Sequence, residues 1–221
     1  MTQKHEPSEE LGCHQQTYET VPGGVICGPE SSKYGTSTHR VLGSNGTGSY
    51  LLTAAHIFSD ITCGTGAKVY QYGQKVGEIV DFYGGLDAAI VDQTADTEVS
   101  GFSNKIEGAN WGPVNGHVTR NGVIDLAGNE TEIYKMGVIT CKTSGRIKED
   151  ERSRAGSCGS GSGYLRYTCY AEQGDSGGPV YAEKTSPIDG DKYIATIGLI
   201  TTATICSSAY SINNNTGYIF S

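Results

Sequence analysis

The stretch GDSGGPV at Gly174–Val180 decides how the rest of the chain is read. An acid and a hydroxyl sit between glycines, and a proline and apolar residues of strand character follow. Glycine occupies tight backbone positions that a side chain would block. Ordering such a loop costs conformational entropy, so this density of glycine implies a need for close backbone approach. The need we infer is that the N–H groups of Gly174 and Ser176 converge on one point beside the Ser176 hydroxyl.

Two other stretches supply what a serine would require. LLTAAHIF (51–58) brings His56, and GLDAAIVD (85–92) brings Asp87. Each places its polar residue where an apolar strand meets a turn. Serine is a poor nucleophile at neutral pH and needs an adjacent base. Imidazole can accept and return that proton, and a buried carboxylate fixes its tautomer and stabilises its cation. Losing one backbone donor to a developing oxyanion costs roughly 3 kcal/mol of barrier, which gives the glycines around Ser176 a chemical purpose. Asp81 and Asp92 compete for the carboxylate role, but only Asp87 opens an apolar run directly. His5, His14, His39 and His117 are read as surface or loop residues, since none has a metal-ligand spacing.

The chain has 221 residues, 32 of them glycine, and only 18% are charged. Short β-branched and tyrosine-containing runs alternate with Gly, Asn, Ser and Thr, which reads as all-β. Expected strands in the first half are 23–28, 36–43, 49–54, 67–73, 75–83 and 88–92. The second half resumes with NGHVTRN, TEIYKMG, GVITCKTSGRI, GYLRYTCY, GPVYAEK and YIATIGLITTAT. About six strands per half, without a useful helical period, predict two closed antiparallel barrels. The expected division is a polar tail at 1–20, an N-terminal barrel at 21–108 with His56 and Asp87, and a C-terminal barrel at 109–221 with Ser176. Segment 98–115 is the expected connector. KEDERSRAGSCGSGSG (148–163) reads as a mobile, exposed hairpin tip.

The formal net charge of −8 argues against a nucleic-acid partner. No apolar run reaches about 18 residues, so no membrane span is expected. Seven cysteines without a CxxC or CxxH pair argue against zinc and for an exported, disulfide-bearing protein. Met1–Leu11 is polar and reads as a loose tail, so any secretion signal or pro-segment would lie upstream. Neither a metal nor an organic cofactor is implied, and a monomer is expected.

His, Asp and Ser in this order and these contexts resemble the chymotrypsin-fold serine peptidases, over about residues 21–206. The likeness is greatest to the microbial branch of streptogrisin and α-lytic-like enzymes. VPGGVICG looks like the start of their mature domains, YKMGVITCKTSGRI like the hairpin that begins their second barrel, and CYAEQGDSGGP like their approach to the nucleophile. The resemblance implies two antiparallel six-stranded barrels with the active site in the cleft between them. It implies a secreted endopeptidase acting on peptide or protein substrates, with His56, Asp87 and Ser176 catalytic and the Gly174 and Ser176 amides as oxyanion hole. The alternative is a catalytically inactive homologue that serves as a binding module.

The same resemblance implies finer features. No Ile-Val-Gly-Gly start is present to neutralise Asp175, so Lys135 is the expected partner in a structural ion pair. Ile57 follows His56 where many relatives carry a cysteine. A Cys169–Cys206 bridge would pin the pocket walls, Cys141–Cys158 would be another, and Cys63 would bridge to Cys27 or to Cys13. Tyr170, Thr201, Thr202 and Ala203 fall at the substrate pocket. Thr201 stands where relatives carry a serine touching the catalytic aspartate, and Thr202 and Ala203 replace pocket-lining glycines. These features imply a preference for small or apolar side chains before the scissile bond.

Overall fold

The computed structural model describes residues 13–221, apart from 15, 31, 32, 62 and 157. The expectations for Met1–Leu11 and His5 lie outside the described residues. The first half forms β1 (Thr20–Gly23), β2 (Ile26–Cys27), β3 (Gly35–Leu42), β4 (Tyr50–Ala54), β5 (Lys68–Gln71), β6 (Gln74–Tyr83), β7 (Ala88–Asp92) and β8 (Gly101–Ile106). The second half forms β9 (Val114–His117), α1 (Arg120–Gly128), β10 (Ile133–Gly137), β11 (Cys141–Gly145), β12 (Ile147–Gly156), β13 (Gly159–Tyr167), β14 (Pro179–Thr185), β15 (Lys192–Thr202) and β16 (Ile205–Ser208). It closes with α2 (Ala209–Thr216) and β17 (Ile219–Phe220).

These strands make two barrel-like sheets, one nearly closed and one a half-barrel. The first runs β17-β3-β4-β7-β6-β5, with β2 added to β3. The second runs β11-β10-β14-β15-β16-β13-β12, with β9 added to β15. Alternation along the strands turns Leu51, Val69, Ile79 and Val91 into the first core. Ile133, Leu165, Val180 and Ile197 fill the second. Each fully buried aliphatic side chain of this kind contributes about 1.5–3 kcal/mol. The C-terminal β17 returns to pair with β3, so the end of the chain lies on the first sheet.

The structure corrects several expectations. Among the described residues there are two α-helices, where the sequence shows no useful helical period. Thr119 caps α1, its hydroxyl accepting from Gly122 N at 3.2 Å, and Ser208 caps α2 by accepting from Ser211 N at 3.3 Å. Both helices are short and show little apolar periodicity, so their caps are their main signal. The 98–115 connector contains β8, which pairs in parallel with β1. Residues 148–163 hold not only the tip of the β12–β13 hairpin but most of β12 and half of β13 as well. His39 is fully buried on β3 between the barrels, and His117 on β9 is partly buried, so neither is a surface residue. His39 Nε2 lies 2.8 Å from Thr196 Oγ1 on β15, and both His39 and His117 pack on the Phe220 ring at 5.6 Å.

None of the expected bridges forms, neither Cys169–Cys206 nor Cys141–Cys158 nor a pairing of Cys63 with Cys27 or Cys13. Cys13 bonds Cys141, and Cys63 bonds Cys158, with Cα separations of 5.6 and 5.4 Å. Cys27, Cys169 and Cys206 are free and buried. The long hairpin carries Cys158 back across to the first barrel, where Cys63 waits, and away from Cys141. The N-terminal segment lies along the β10–β11 turn, with Cys13 N donating to Val138 O at 3.0 Å, and so reaches Cys141 first. Cys27 faces inward, 3.3 Å from Thr53 Oγ1, out of reach of the exposed Cys63. Burial pushes the Cys27 and Cys169 thiols up to about 12 and raises Cys206 as well, so all three are inert apolar fillers at neutral pH.

Candidate active site

Strand pairing brings His56 and Asp87 together. β4 and β7 are antiparallel neighbours, and Ala54 at the end of one faces Ala88 at the start of the other. The residues just past those ends must therefore meet. A short 3-10 turn, Ala55–Phe58, carries His56, and another, Gly84–Leu86, delivers Asp87. Ala55 N donates to Asp87 O at 3.1 Å, which locks the two ends. Asp87 itself sits in the left-handed region at φ 50°, a conformation that aspartate tolerates better than most residues. Its carboxylate accepts from His56 N at 2.8 Å through Oδ1 and lies 2.8 Å from His56 Nδ1 through Oδ2.

The opposite ring nitrogen, His56 Nε2, lies 2.9 Å from Ser176 Oγ. Asp87 is buried, while the imidazole keeps about a third of its side-chain surface, 32%, open to solvent. The arrangement can pass a proton from hydroxyl to ring while a fixed carboxylate faces the other nitrogen. The competing acids lie elsewhere: Asp81 is bonded by Tyr218 Oη, and Asp92 accepts from Gln93 N at 2.8 Å.

Ser176 lies on the loop that enters β14. Its backbone is held from the other barrel. Thr36 N donates to Ser176 O at 2.7 Å, Thr36 Oγ1 to Gly174 O at 2.8 Å, and Thr38 Oγ1 to Gly177 O at 2.6 Å. The approach is so close that a Cβ on Gly177 would strike Thr36 O, and Gly177 also has φ 87°. Gly174, at φ 102°, has Ile139 and Tyr34 where a side chain would go. Among the described residues, neither the Gly174 nor the Ser176 amide donates to a protein acceptor.

Behind this loop, Lys135 Nζ lies 2.9 Å from Asp175 Oδ2, and both side chains are fully buried. Thr140 Oγ1 touches both, and Asp175 Oδ1 accepts from Ile139 N at 2.9 Å and Thr140 N at 3.1 Å. Burial alone would raise the Asp175 carboxyl, but the Thr140 hydroxyl, the Lys135 ammonium and the Ile139 amide outweigh it and hold it below the usual carboxylate range. Lys135 Nζ also donates to Cys141 O at 2.9 Å, so the Cys13–Cys141 bridge is joined to this network.

The other sequence-derived residues fall into different settings. Thr201 is buried and its hydroxyl lies 3.1 Å from Ser207 Oγ; among the described residues it makes no hydrogen bond to Asp87. Thr202 O accepts from Tyr167 Oη at 2.9 Å. Ala203 sits in the two-residue turn between β15 and β16 and is exposed. Tyr170 is 61% exposed and its hydroxyl donates to Glu172. Among the described residues no group of three His, Cys, Asp or Glu side chains is arranged to hold a metal ion.

Sequence reading missed Thr36, Thr38, Thr53 and Thr140. Their signal is present in hindsight. GTSTHR in β3 is a polar run inside a strand, and Thr36, Ser37, Thr38 and His39 are all fully buried. Buried hydroxyls need partners: Thr36 and Thr38 donate to the Gly174 and Gly177 carbonyls of the Ser176 loop, Ser37 to those of Pro22 and Val25, and Thr53 to that of Thr36.

No protein-family model matches the chain, and a search of curated proteins finds none similar in sequence. Solved structures do match in fold. An α-lytic protease homologue, N4, superposes with a TM-score of 0.64 at 19% identity, covering 91% of this chain and 100% of that one. A Nocardiopsis protease gives 0.63 at 19% identity, covering 90% and 98%. A glutamic-acid-specific serine protease gives 0.62 at 21% identity, covering 90% and 99%. The chain thus has the chymotrypsin-like fold of bacterial serine proteases.

Proposed function

We propose that the chain is a serine endopeptidase working through an acyl-enzyme. The observation that carries this reading is the continuous relay from Ser176 Oγ to His56 Nε2 and from His56 Nδ1 to Asp87 Oδ2, at 2.9 and 2.8 Å. Ser176 attacks the peptide carbonyl as His56 takes its proton. Asp87 keeps the remaining proton on Nδ1 and stabilises the imidazolium. Its second oxygen, anchored to the His56 amide, stops the carboxylate from rotating. The Gly174 and Ser176 amides receive the oxyanion, and Lys135–Asp175 keeps the loop in the shape that aims them. His56 then protonates the leaving amine, and water repeats the sequence on the ester.

The peptide substrate lies along Thr201–Ala203 as an added strand. Support comes from the sheet itself: β14 pairs with β15 only as far as Leu199, and the Gly177 and Gly178 contacts stop at Ile200. The backbone beyond runs past its neighbour. Side chains at Thr202 and Ala203, a pocket wall closed by a two-residue turn, and a Glu172 already engaged by Tyr170 favour small or apolar residues before the scissile bond. Export of the protein fits the two disulfides.

A fluorophosphonate probe tests the reading. The expected result is covalent labelling of the wild type that disappears in Ser176→Ala. An intact fold that resists labelling would overturn it in favour of a non-catalytic binding module. Labelling that appears only after an upstream segment is clipped would show a latent form of the same enzyme.

A further inference from the structure

One long hairpin of the second barrel reaches both elements that carry the acid–base pair of the first. The β12–β13 end lies directly on the turn before Asp87. A Cβ on Gly84 would strike the Cys158 carbonyl, one on Gly161 would strike the Gly85 carbonyl, and one on Gly159 would come within 3.2 Å of Gly85 N. Tyr164 Oη donates to Gly85 O at 3.0 Å. Tyr164 is buried, and burial first, then the nearby Asp87 carboxylate, raises its phenol above the ordinary range, so it remains a donor at neutral pH. Gly84 O in turn accepts from Asp87 N at 3.2 Å. The hairpin therefore sets the backbone from which the Asp87 carboxylate projects.

The same hairpin end is bonded to the loop after His56. Ser59 N and Ser59 Oγ donate to His56 O at 3.2 and 2.8 Å, Ile61 N donates to Phe58 O at 2.9 Å, and Cys63 follows and joins Cys158. The bridge spans 95 residues of sequence and crosses between the barrels. Cys63 is exposed, so the bridge can be reached from solvent.

We propose that Cys63–Cys158 is a latch that holds the hairpin against the His56 and Asp87 segments, so that a dithiol reductant slows turnover of the folded protein by opening it. The proposal rests on the peptidase reading above. A thiolate of the dithiol attacks one sulfur of the bridge and the other leaves as a thiolate, which takes a proton. The reductant's second thiol then displaces the mixed disulfide. Two electrons and two protons pass to Cys63 and Cys158, and the dithiol ends as a disulfide. Cys63, Cys158 and Tyr164 act as positioning residues, through the backbone of the catalytic segments.

The test compares the oxidised wild type with a Cys63→Ser, Cys158→Ser double variant and with Tyr164→Phe. The readouts are kcat and KM on one peptide substrate, fluorophosphonate labelling rate against pH, and near-ultraviolet circular dichroism. For the folded double variant we expect kcat to fall about tenfold or more with KM little changed, since small misplacements of catalytic groups cost rate rather than binding. Tyr164→Phe is expected to lose about fivefold in kcat, the worth of one ordinary hydrogen bond. A folded double variant with wild-type kcat, or a loss confined to KM, overturns the latch. If the double variant does not fold, Tyr164→Phe decides by the same criterion. If the oxidised wild type neither labels nor turns over, the peptidase reading fails first and takes the latch with it.

Discussion

Two aspartates stand on either side of Ser176, and the molecule treats them differently. Asp87 and Asp175 are both buried, and each binds one basic side chain and at least one backbone amide. Asp87 faces an imidazole that is 32% open to solvent. Asp175 faces an ammonium that has no solvent exposure at all. The first pairing leaves its partner partly open to solvent; the second seals its partner in. Under the proposed function the contrast separates a carboxylate that serves turnover from one that shapes a loop, although in sequence each is an aspartate within two residues of a glycine.

The sharpest way to break that contrast is Asp87→Asn. Its amide would donate to Nδ1 and drive the ring proton to Nε2, where it faces Ser176. We expect kcat to fall about 10⁴-fold while the melting midpoint stays nearly unchanged. Lys135→Met is the counterpart. It leaves the Asp175 carboxylate buried and unpaired, at an expected cost of about 3–5 kcal/mol. For a chain of this size that is a drop in midpoint on the order of 10 °C by calorimetry. If Asp87→Asn melted early, or Lys135→Met melted like wild type, the assignment of one aspartate to chemistry and the other to scaffold would be wrong.

The two regions were not equally legible in sequence. His56 and Asp87 sit at strand ends whose apolar runs predict where β4 and β7 lie, so their meeting follows from antiparallel pairing, whereas Ser176 arrives on the loop before β14 in the other sheet. The threonines that suspend the Ser176 loop were invisible, because a Thr in a strand looks like ordinary β propensity until its hydroxyl is seen to meet a carbonyl. The disulfides were illegible for a different reason. Bridge partners depend on where a long hairpin folds back, and spacing along the chain holds no such information. The short helices escaped because Gly122 and the asparagines at 213–215 blur their period, leaving only the Thr119 and Ser208 caps as clues.

The pH response sharpens the comparison by adding a third buried group. Burial lowers His39 to about 4, with its Nδ1 against Arg40 O and the Arg40 charge as the charged group beside it. The unfolded chain, with an ordinary histidine near 6.5, binds the proton first as pH falls. Stability is therefore complete above about pH 6.5 and drains between there and about pH 4, by about 3 kcal/mol. Below that range Asp175 takes over. Its depressed carboxyl stabilises the fold above the ordinary aspartate value near 3.9, and the contribution is lost as pH falls through its lower folded value. Urea midpoints measured from pH 7 to 4 should flatten in His39→Gln. An unchanged slope would remove His39 as the source.

Thr36→Val gives the smallest expected effect and tests the suspension of the loop alone. Valine keeps the shape of threonine but lacks the hydroxyl that donates to Gly174 O at 2.8 Å and accepts from Val138 N at 3.1 Å. Both groups would be left buried without that partner, at about 1–2 kcal/mol of stability. Gly174 O belongs to the peptide that joins Gly174 to Asp175, so loosening it disturbs both the scaffold aspartate and the loop that presents Ser176. The expected kinetic effect is a fall in kcat of about fivefold, matching one lost hydrogen bond, with the pH profile unmoved because His56 and Asp87 are untouched. A shift of that profile instead would mean that the two sides of the site are coupled through β3, and that the division between the aspartates is less complete than their surroundings indicate.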